Sequence, residues 1–495
     1  MDVLRTIHAT AAATPDKLAV GYNGEPVSYA RFWRLIHASR RDLAGRGIPR
    51  GGLVLLQVGH LLDGWVLNLA LRSLGFEVAA VGPEPDFLAM FDDRDISAVV
   101  TVAAEAQTPL APSGAMHLSL PSPSATALKG ERLPPFRMKG PFGAHLMLTS
   151  GVTGAPKPVL TRAGETGAAL ASVLELARGL DTRLASQGER EVACLFDLAL
   201  WTASGYSFPI LAWTLRAAVV LDQRGETHLA LQWPGLTRAT LTPYFLKRIL
   251  DAPEGAFPFQ PGLRLVVWSG AVTRRMLAEA RRRITPTIVS NVASTEVGLW
   301  ASTPLDSDDD LIWSHIVPTQ RVEVVDEQRR PLPPGRLGEV RIALAVPGAG
   351  SHLGDAETTA AQYPGGWFYP GDLGIFDERG RLSLRGRATD VVNLDGAKIP
   401  VEPWERQLQE ALGCEAVCIL VGHFGGADDA LHMFVESAAP IPLERLSKAT
   451  RETLGGWGAQ VEVHKLAAMP RTPLGKIHRI ALAQQLDDAL TARAA

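Results

Sequence analysis

An α/β fold is what this sequence predicts: a large N-terminal part of parallel-rich α/β sheets with a β-rich subdomain, then a small α+β part at the C-terminus. Three observations carry that expectation. Short apolar runs alternate with longer helical patterns, as in strand–helix–strand units with parallel pairing. Between Trp313 and Arg385 the texture changes to short alternating segments broken by Gly and Pro. A chain of 495 residues also exceeds what one ordinary core supports, so two or more domains are expected.

The elements follow in order. Helical periodicity marks Tyr29–Gly45, Leu61–Gly75, Gly164–Leu180 and Arg274–Arg283. Apolar runs mark buried strands at Ala98–Val102, His145–Leu148, Val192–Phe196 and Leu263–Trp268. After Gly386 a compact unit begins, with a helix over Pro403–Leu412, a strand over Ala416–Val421 and a helix over Leu443–Leu454. The main boundary is placed at Gly386–Asp390, giving an N-terminal domain over 1–385 and a C-terminal domain over 386–495.

Composition excludes several function classes. A hydrophobic fraction of 46% is ample for burying the cores, and a net charge of −3 leaves no footprint of a nucleic-acid binder. The acidic run Asp306-Ser307-Asp308-Asp309-Asp310 reads as a solvated loop. Cys194, Cys414 and Cys418 form neither a CxxC pair nor a metal spacing, which fits a reduced, cytoplasmic setting. The segment from Met1 to Arg5 has no apolar signal core, and no apolar stretch approaches membrane length.

Two distant segments carry the chemistry. The first, Thr149-Ser150-Gly151-Val152-Thr153-Gly154-Ala155-Pro156-Lys157-Pro158, follows an expected strand. Its glycines let backbone N–H groups approach phosphate oxygens, its hydroxyls donate further bonds, and Lys157 offsets charge. Gly154 is not followed by Lys-Ser/Thr, so this is not a Walker A loop. The second, Pro470-Arg471-Thr472-Pro473-Leu474-Gly475-Lys476, sets one cation on a Pro-rich turn nineteen residues from the C-terminus. A phosphate loop in the body and a lysine on the tail suggest one nucleotide handled by two domains.

Three further motifs stand between them: Ser294-Thr295-Glu296-Val297-Gly298, Gly366-Trp367-Phe368-Tyr369-Pro370-Gly371-Asp372-Leu373-Gly374, and Gly386-Arg387. In this order the five resemble the adenylate-forming superfamily of acyl- and aryl-CoA synthetases, peptide-synthetase adenylation domains and luciferases. The resemblance spans nearly the whole chain. It implies attack of a carboxylate on the α-phosphate of ATP, giving an acyl-adenylate and pyrophosphate, followed by thiol displacement of AMP. By the same resemblance Thr149, Ser150, Gly151, Thr153, Gly154 and Lys157 would hold the β- and γ-phosphates. Thr295 would donate to the α-phosphate, and Glu296 would ligate Mg²⁺, a hard cation suited to one carboxylate plus phosphate oxygens. Asp372 and Arg387 would hold the ribose. Lys476 would bridge the substrate carboxylate and the α-phosphate during adenylation, then leave as the C-terminal domain over 386–495, by this resemblance a mobile lid, rotates. Gly396 would face the tunnel for the thiol of CoA or of a carrier-protein phosphopantetheine.

The pattern is also broken in places. Val152 replaces a small hydroxyl and Pro158 a glycine, while Val292-Ala293 stands where an aromatic-Gly pair would form the adenine platform. Pro370 replaces a threonine, and Thr389 the acidic hinge residue. The charged residues Lys157, Glu296, Asp372, Arg387 and Lys476 all remain, so activity is expected.

The acid itself is not readable. Asp197, with Trp201 four residues on, resembles the carboxylate that pairs with an amino-acid ammonium in amino-acid-activating relatives. The Ser294–Gly298 motif resembles CoA synthetases instead. Trp201, Trp268 and Val292 are candidate pocket walls that would favour an aryl or short acyl acid. The leading expectation is an acid–thiol ligase. A free-standing amino-acid adenylating enzyme and a non-catalytic nucleotide-binding member are the rivals.

Overall fold

The computed structural model describes residues 3–82, 88, 91, 94–103, 105, 110, 112–128, 132–137, 140–148, 158–161, 191–196, 199–268, 270–294, 296–344, 363–388, 390–394, 397–422, 430–455, 461–472 and 475–494. The first stretch runs α1 (Val3–Ala13), β1 (Leu18–Tyr22), β2 (Glu25–Ser28), α2 (Tyr29–Ala44), β3 (Leu53–Gln57) and α3 (Leu61–Ser73). Then come β4 (Glu77–Ala80), β5 (Ile96–Val102), β6 (Met116–Leu120), β7 (His145–Leu148) and β8 (Pro158–Thr161). The next group is β9 (Val192–Leu195), α4 (Ala203–Thr214), β10 (Ala218–Leu221), β11 (Arg238–Leu241), α5 (Pro243–Leu250), β12 (Arg264–Trp268), α6 (Arg274–Arg283), β13 (Thr287–Ser294) and β14 (Gly298–Pro304).

These strands form two mixed sheets, ordered β14-β13-β12-β11-β9-β10-β1-β2 and β6-β5-β3-β4-β7-β8. Pairing is parallel except at β1–β2, β13–β14 and β7–β8. One apolar cluster joins the sheets through α1 to α4, with Phe32, Trp33, Trp65 and Trp213 buried in it. Two of its aromatic polar tips are satisfied by distant backbone: Trp213 Nε1 donates to Ala19 O at 3.1 Å, and Tyr29 Oη to Ala217 O at 2.7 Å. A second cluster packs α5 and α6 on the opposite face.

Helix starts follow local chemistry. Ser28 caps α2 by accepting from Arg31 N, Thr202 caps α4 from Gly205 N, and Thr273 caps α6 from Met276 N. The acidic run near Asp308 is not simply a loop. Asp308–Leu311 forms one 3₁₀ turn, fixed by a capping box between Ser307 and Asp310.

The Gly/Pro-punctuated region forms an antiparallel sheet of β15 (Val322–Val325), β16 (Gly338–Ala343), β17 (Trp367–Phe368), β18 (Asp372–Phe376) and β19 (Leu382–Arg387). A hairpin of β20 (Val391–Leu394) and β21 (Ala397–Pro400) follows, then α7 (Glu402–Leu412), β22 (Ala416–Gly422), β23 (Ala430–Glu436), α8 (Leu443–Leu454), β24 (Val461–Leu466) and α9 (Arg479–Ala494). Strands β22, β23 and β24 make a three-stranded sheet with α7 and α8 on one face and α9 on the other. No helix among the described residues is long and apolar enough to cross a membrane.

Candidate active site

Parallel strands of an α/β sheet deliver their C-terminal ends to one rim, where ligand sites of such folds lie. Here β12 ends at Trp268 and β13 at Ser294, with Trp268 opposite Asn291 in the register. Trp268 Nε1, Asn291 Oδ1 and Ser294 Oγ are buried at this rim without a hydrogen-bond partner among the described residues. Buried polar atoms are ordinarily satisfied, so Trp268 and Asn291, register partners on one face, point to a ligand-facing wall, while Ser294 stands on the other face with Val292.

The next wall comes from the antiparallel sheet. Asp372 opens β18 and Arg387 closes β19, and the hairpin makes them register partners. Arg387 Nε lies 3.1 Å from Asp372 Oδ1, and Arg387 Nη1 donates to Pro370 O. Gly371 before them has φ +78°, a left-handed turn that favours glycine.

Lys476 closes the cluster from the tail. Its turn is knit by Gly475 N donating to Thr472 O and Thr472 N to Lys476 O, both at 2.8 Å. Arg471 spans the turn by donating to Gly475 O at 3.0 Å and pairing with Glu436 at 2.8 Å. Gly475 has φ +77° and lies flat against the body, where a Cβ would overlap the Tyr244 ring. The Arg471 guanidinium sits 5.7 Å from the centre of the same ring. Tyr244 on α5 is therefore the seat for the lysine turn.

The electrostatics bind these parts into one site. Burial, and then the Arg387 guanidinium, pull the Lys476 ammonium below the ordinary lysine range, while Asp372 and Glu402 favour its charge. Burial raises Asp372, with Glu296 adding to the rise against Arg387 and Lys476. Burial also raises Glu402, helped by Asp372 and opposed by Arg406, Arg479 and Arg387. Tyr363 is raised by burial and then by Glu296. Glu402 nonetheless keeps water-accessible surface, and Asp372 and Lys476 keep some, so the charges line a cleft. No described carboxylate lies within ion-pairing distance of Lys476 Nζ, which leaves that cation available to an anionic ligand.

The expected residues are thus partly assembled. Glu296, Asp372, Arg387 and Lys476 come together electrostatically. Thr149, Ser150, Gly151, Thr153, Gly154, Lys157, Asp197, Thr295, Thr389 and Gly396 lie outside the described residues, as does the 164–180 helix. The ends of the phosphate segment are placed, since Leu148 pairs with Pro158 across β7–β8. Of the pocket walls, Trp268 meets Phe208 at 5.1 Å between ring centroids. Val292 follows Asn291 in the strand and so projects from the other face, where it packs against the cluster around Trp300 and Ala301. Trp201 packs against the apolar clusters of the six-stranded sheet.

Sequence reading missed Glu402, Tyr363 and Tyr244. Glu402 begins α7, and a Cβ on Gly386 would come 3.0 Å from its Cβ. An acidic residue opening a helix beside Pro403 is the one signal that could have drawn attention to it.

The donor set suits a nucleotide with a divalent cation: two cationic groups, a half-buried aspartate, and orphaned polar atoms on the strand rim. The profile of the AMP-binding enzyme family matches residues 7–345. The 4-chlorobenzoate–CoA ligase of an Arthrobacter species is 25% identical over 402 residues, covering 78% of this chain and 75% of that protein. Phosphinothricin tripeptide synthetase PhsB of Streptomyces viridochromogenes is 25% identical over 508 residues, covering 96% of this chain and 41% of that protein. The Bacillus subtilis o-succinylbenzoate CoA synthetase MenE in complex with AMP superposes with a TM-score of 0.78 at 18% identity, covering 96% of this chain and 97% of that one. With its family profile spanning well over half the sequence, this chain belongs to the AMP-binding enzymes, the ATP-dependent adenylate-forming ligases.

Proposed function

We propose that the protein activates an aryl or short acyl carboxylic acid as its acyl-adenylate and transfers the acyl group to a thiol, that of CoA or of a carrier-protein phosphopantetheine. The observation that carries this reading is Lys476, seated by Gly475 on Tyr244 and held in the field of Asp372, Glu402 and Arg387. A cation at that point favours the negative charge that builds up as a carboxylate attacks a phosphate. Asp372 and Arg387 are the proposed ribose contacts, and the Thr149–Lys157 segment with Thr295 the proposed phosphate contacts. Glu296 is the proposed ligand of Mg²⁺, which supplies charge neutralisation on the phosphates when bound. Residues 386–495 are proposed as the mobile lid that withdraws Lys476 before the thiol arrives, with Gly396 on the thiol path.

The CoA ligase relative supports an acid–thiol reaction, and the peptide synthetase supports the amino-acid alternative, in which Asp197 pairs with the substrate ammonium. ATP–pyrophosphate exchange on pooled aryl, aliphatic and amino acids separates them, with Lys476→Ala as control. Exchange with an aryl or short acyl pool, lost in the variant, is expected, and CoA or a carrier should then consume the adenylate. Exchange with amino acids alone would establish the alternative, and silence with every pool despite ATP binding would refute both.

A further inference from the structure

The C-terminal sheet carries a second cluster of titratable side chains, with no residue in common with the Lys476 site. Strands β23 and β24 run parallel, with His432 opposite Glu462 and Phe434 opposite His464. Side chains alternate along a strand, so these four stand on one face. His432 Nδ1 lies 3.0 Å from His464 Nε2. Glu462 Oε2 is 3.6 Å from the first nitrogen and Oε1 is 3.9 Å from the second. One candidate ligand atom from each of the three residues falls within 4.8 Å of the others.

That spacing is close to a coordination shell. Two imidazole nitrogens at about 2.05 Å from a tetrahedral ion are about 3.3 Å apart, so the pair needs to open by only a few tenths of an ångström. Glu462, half exposed, can swing inward by a comparable amount. The His464 ring is held by stacking on Phe434, with centroids 4.7 Å apart and planes 19° apart. His432 is 3% exposed and Glu462 faces water, so the cluster has a buried floor and an open mouth.

We propose that His432, Glu462 and His464 form a binding site for a zinc-class divalent metal, with a further coordination position open to solvent. Two imidazoles and one carboxylate match the ligand preference of Zn²⁺ and its late first-row neighbours rather than of Mg²⁺ or Ca²⁺, which take oxygen. The ion would staple β23 to β24. The chain leaving β24 passes Met469, whose N–H donates to Glu436 at 2.9 Å, and enters the turn that carries Lys476. The site therefore braces the strand that feeds the lysine turn.

The alternative is a hydrogen bond between the two rings, with no ion. Full-length protein stripped with a chelator, titrated with ZnCl₂ by calorimetry and with Co²⁺ by visible absorption, decides between them. Glu462→Gln and His464→Gln are the variants, because both residues keep solvent-accessible surface and tolerate change better than His432. One equivalent of Zn²⁺, bound with proton release and weakened at least tenfold in each variant, is expected. Zn²⁺ should also raise the melting temperature of the parent and not that of the variants. Absence of saturable binding, or the same affinity in all three proteins, would overturn the proposal in favour of the hydrogen-bonded pair.

Discussion

Lys476 and Arg479 stand three residues apart on the same segment, and their surroundings are opposite. Arg479 donates to both oxygens of Glu405 at 2.8 and 2.7 Å and to Ile419 O at 3.0 Å, and it lies 3.3 Å from Asp390. Burial opposes its charge, yet Glu405 and its other partners more than offset that and hold it above the ordinary arginine range. Lys476 is drawn the other way, below the ordinary lysine range, with Asp372 and Glu402 acting from beyond ion-pairing distance. One cation is spent on holding the unit together, and the other is held ready for a ligand. Adjacent positions can thus serve architecture and chemistry separately, because hydrogen-bond geometry rather than net charge decides which.

The largest effects should split along this line. Lys476→Ala is expected to lower ATP–pyrophosphate exchange by about 10²–10³-fold, the scale of losing one positioned electrostatic donor. Its thermal unfolding should be unchanged or slightly later, since the lysine is not part of a satisfied pair. Arg479→Ala removes the cation that pairs with the buried Glu405 and should cost about 3–5 kcal/mol, seen as early melting and proteolysis of the C-terminal unit. If Arg479→Ala melts like the parent while Lys476→Ala melts early, the assignment of roles is reversed.

Gly475 sharpens the comparison, because it sets where Lys476 arrives. An alanine there faces left-handed strain of about 1–2 kcal/mol and a collision with the Tyr244 ring. Gly475→Ala should reduce exchange at least tenfold without early melting, since the turn can lift off the body. Adding Tyr244→Ala removes the collision but not the strain, so it should recover part of the loss. Equal activity in the single and double variants would mean that the turn is not seated on Tyr244 during adenylation.

How much of this could be read beforehand depends on the range of the interactions. Helices with strong periodicity were legible to within a residue or two, as at Tyr29–Ala44 and Arg274–Arg283, because the apolar stripe is a local property. Asp372 and Arg387 were legible as a spacing of fifteen residues, but their contact comes from the β18–β19 hairpin and its irregularity between Leu373 and Gly374. Trp268 and Val292 show the limit. Both look like pocket walls in sequence, yet the β12–β13 register places them on opposite faces, and register is a long-range outcome. Glu402 was legible only as an acidic helix start, for the same reason: nothing local to α7 says that Gly386 will lie against its first residue.

The finest test of the contrast is pH. Lys476 serves adenylation only while protonated, and its folded-state value is lowered by burial first and by Arg387 second. Exchange should therefore fall on the alkaline side at a pH below the value of about 10.4 for a free lysine. Lys476→Arg should keep its charge through that window and remove the limb from whatever activity survives. The linkage runs in a definite direction. A lysine with a lowered folded value binds fewer protons in the native state than in the unfolded chain, so native stability rises with pH across that interval. Asp372 and Glu402 are raised, so their contribution is fully present below the unfolded carboxylate values and is lost as pH rises through the folded ones. Glu402 also favours the Lys476 charge, and Glu402→Gln should shift the alkaline limb of exchange to lower pH while leaving its plateau within a few-fold of the parent. An unmoved limb would show that Glu402 does not sense Lys476. A limb moved to higher pH, opposite to the loss of a carboxylate near a lysine, would overturn the assignment of Glu402 as a neighbour that favours the Lys476 charge.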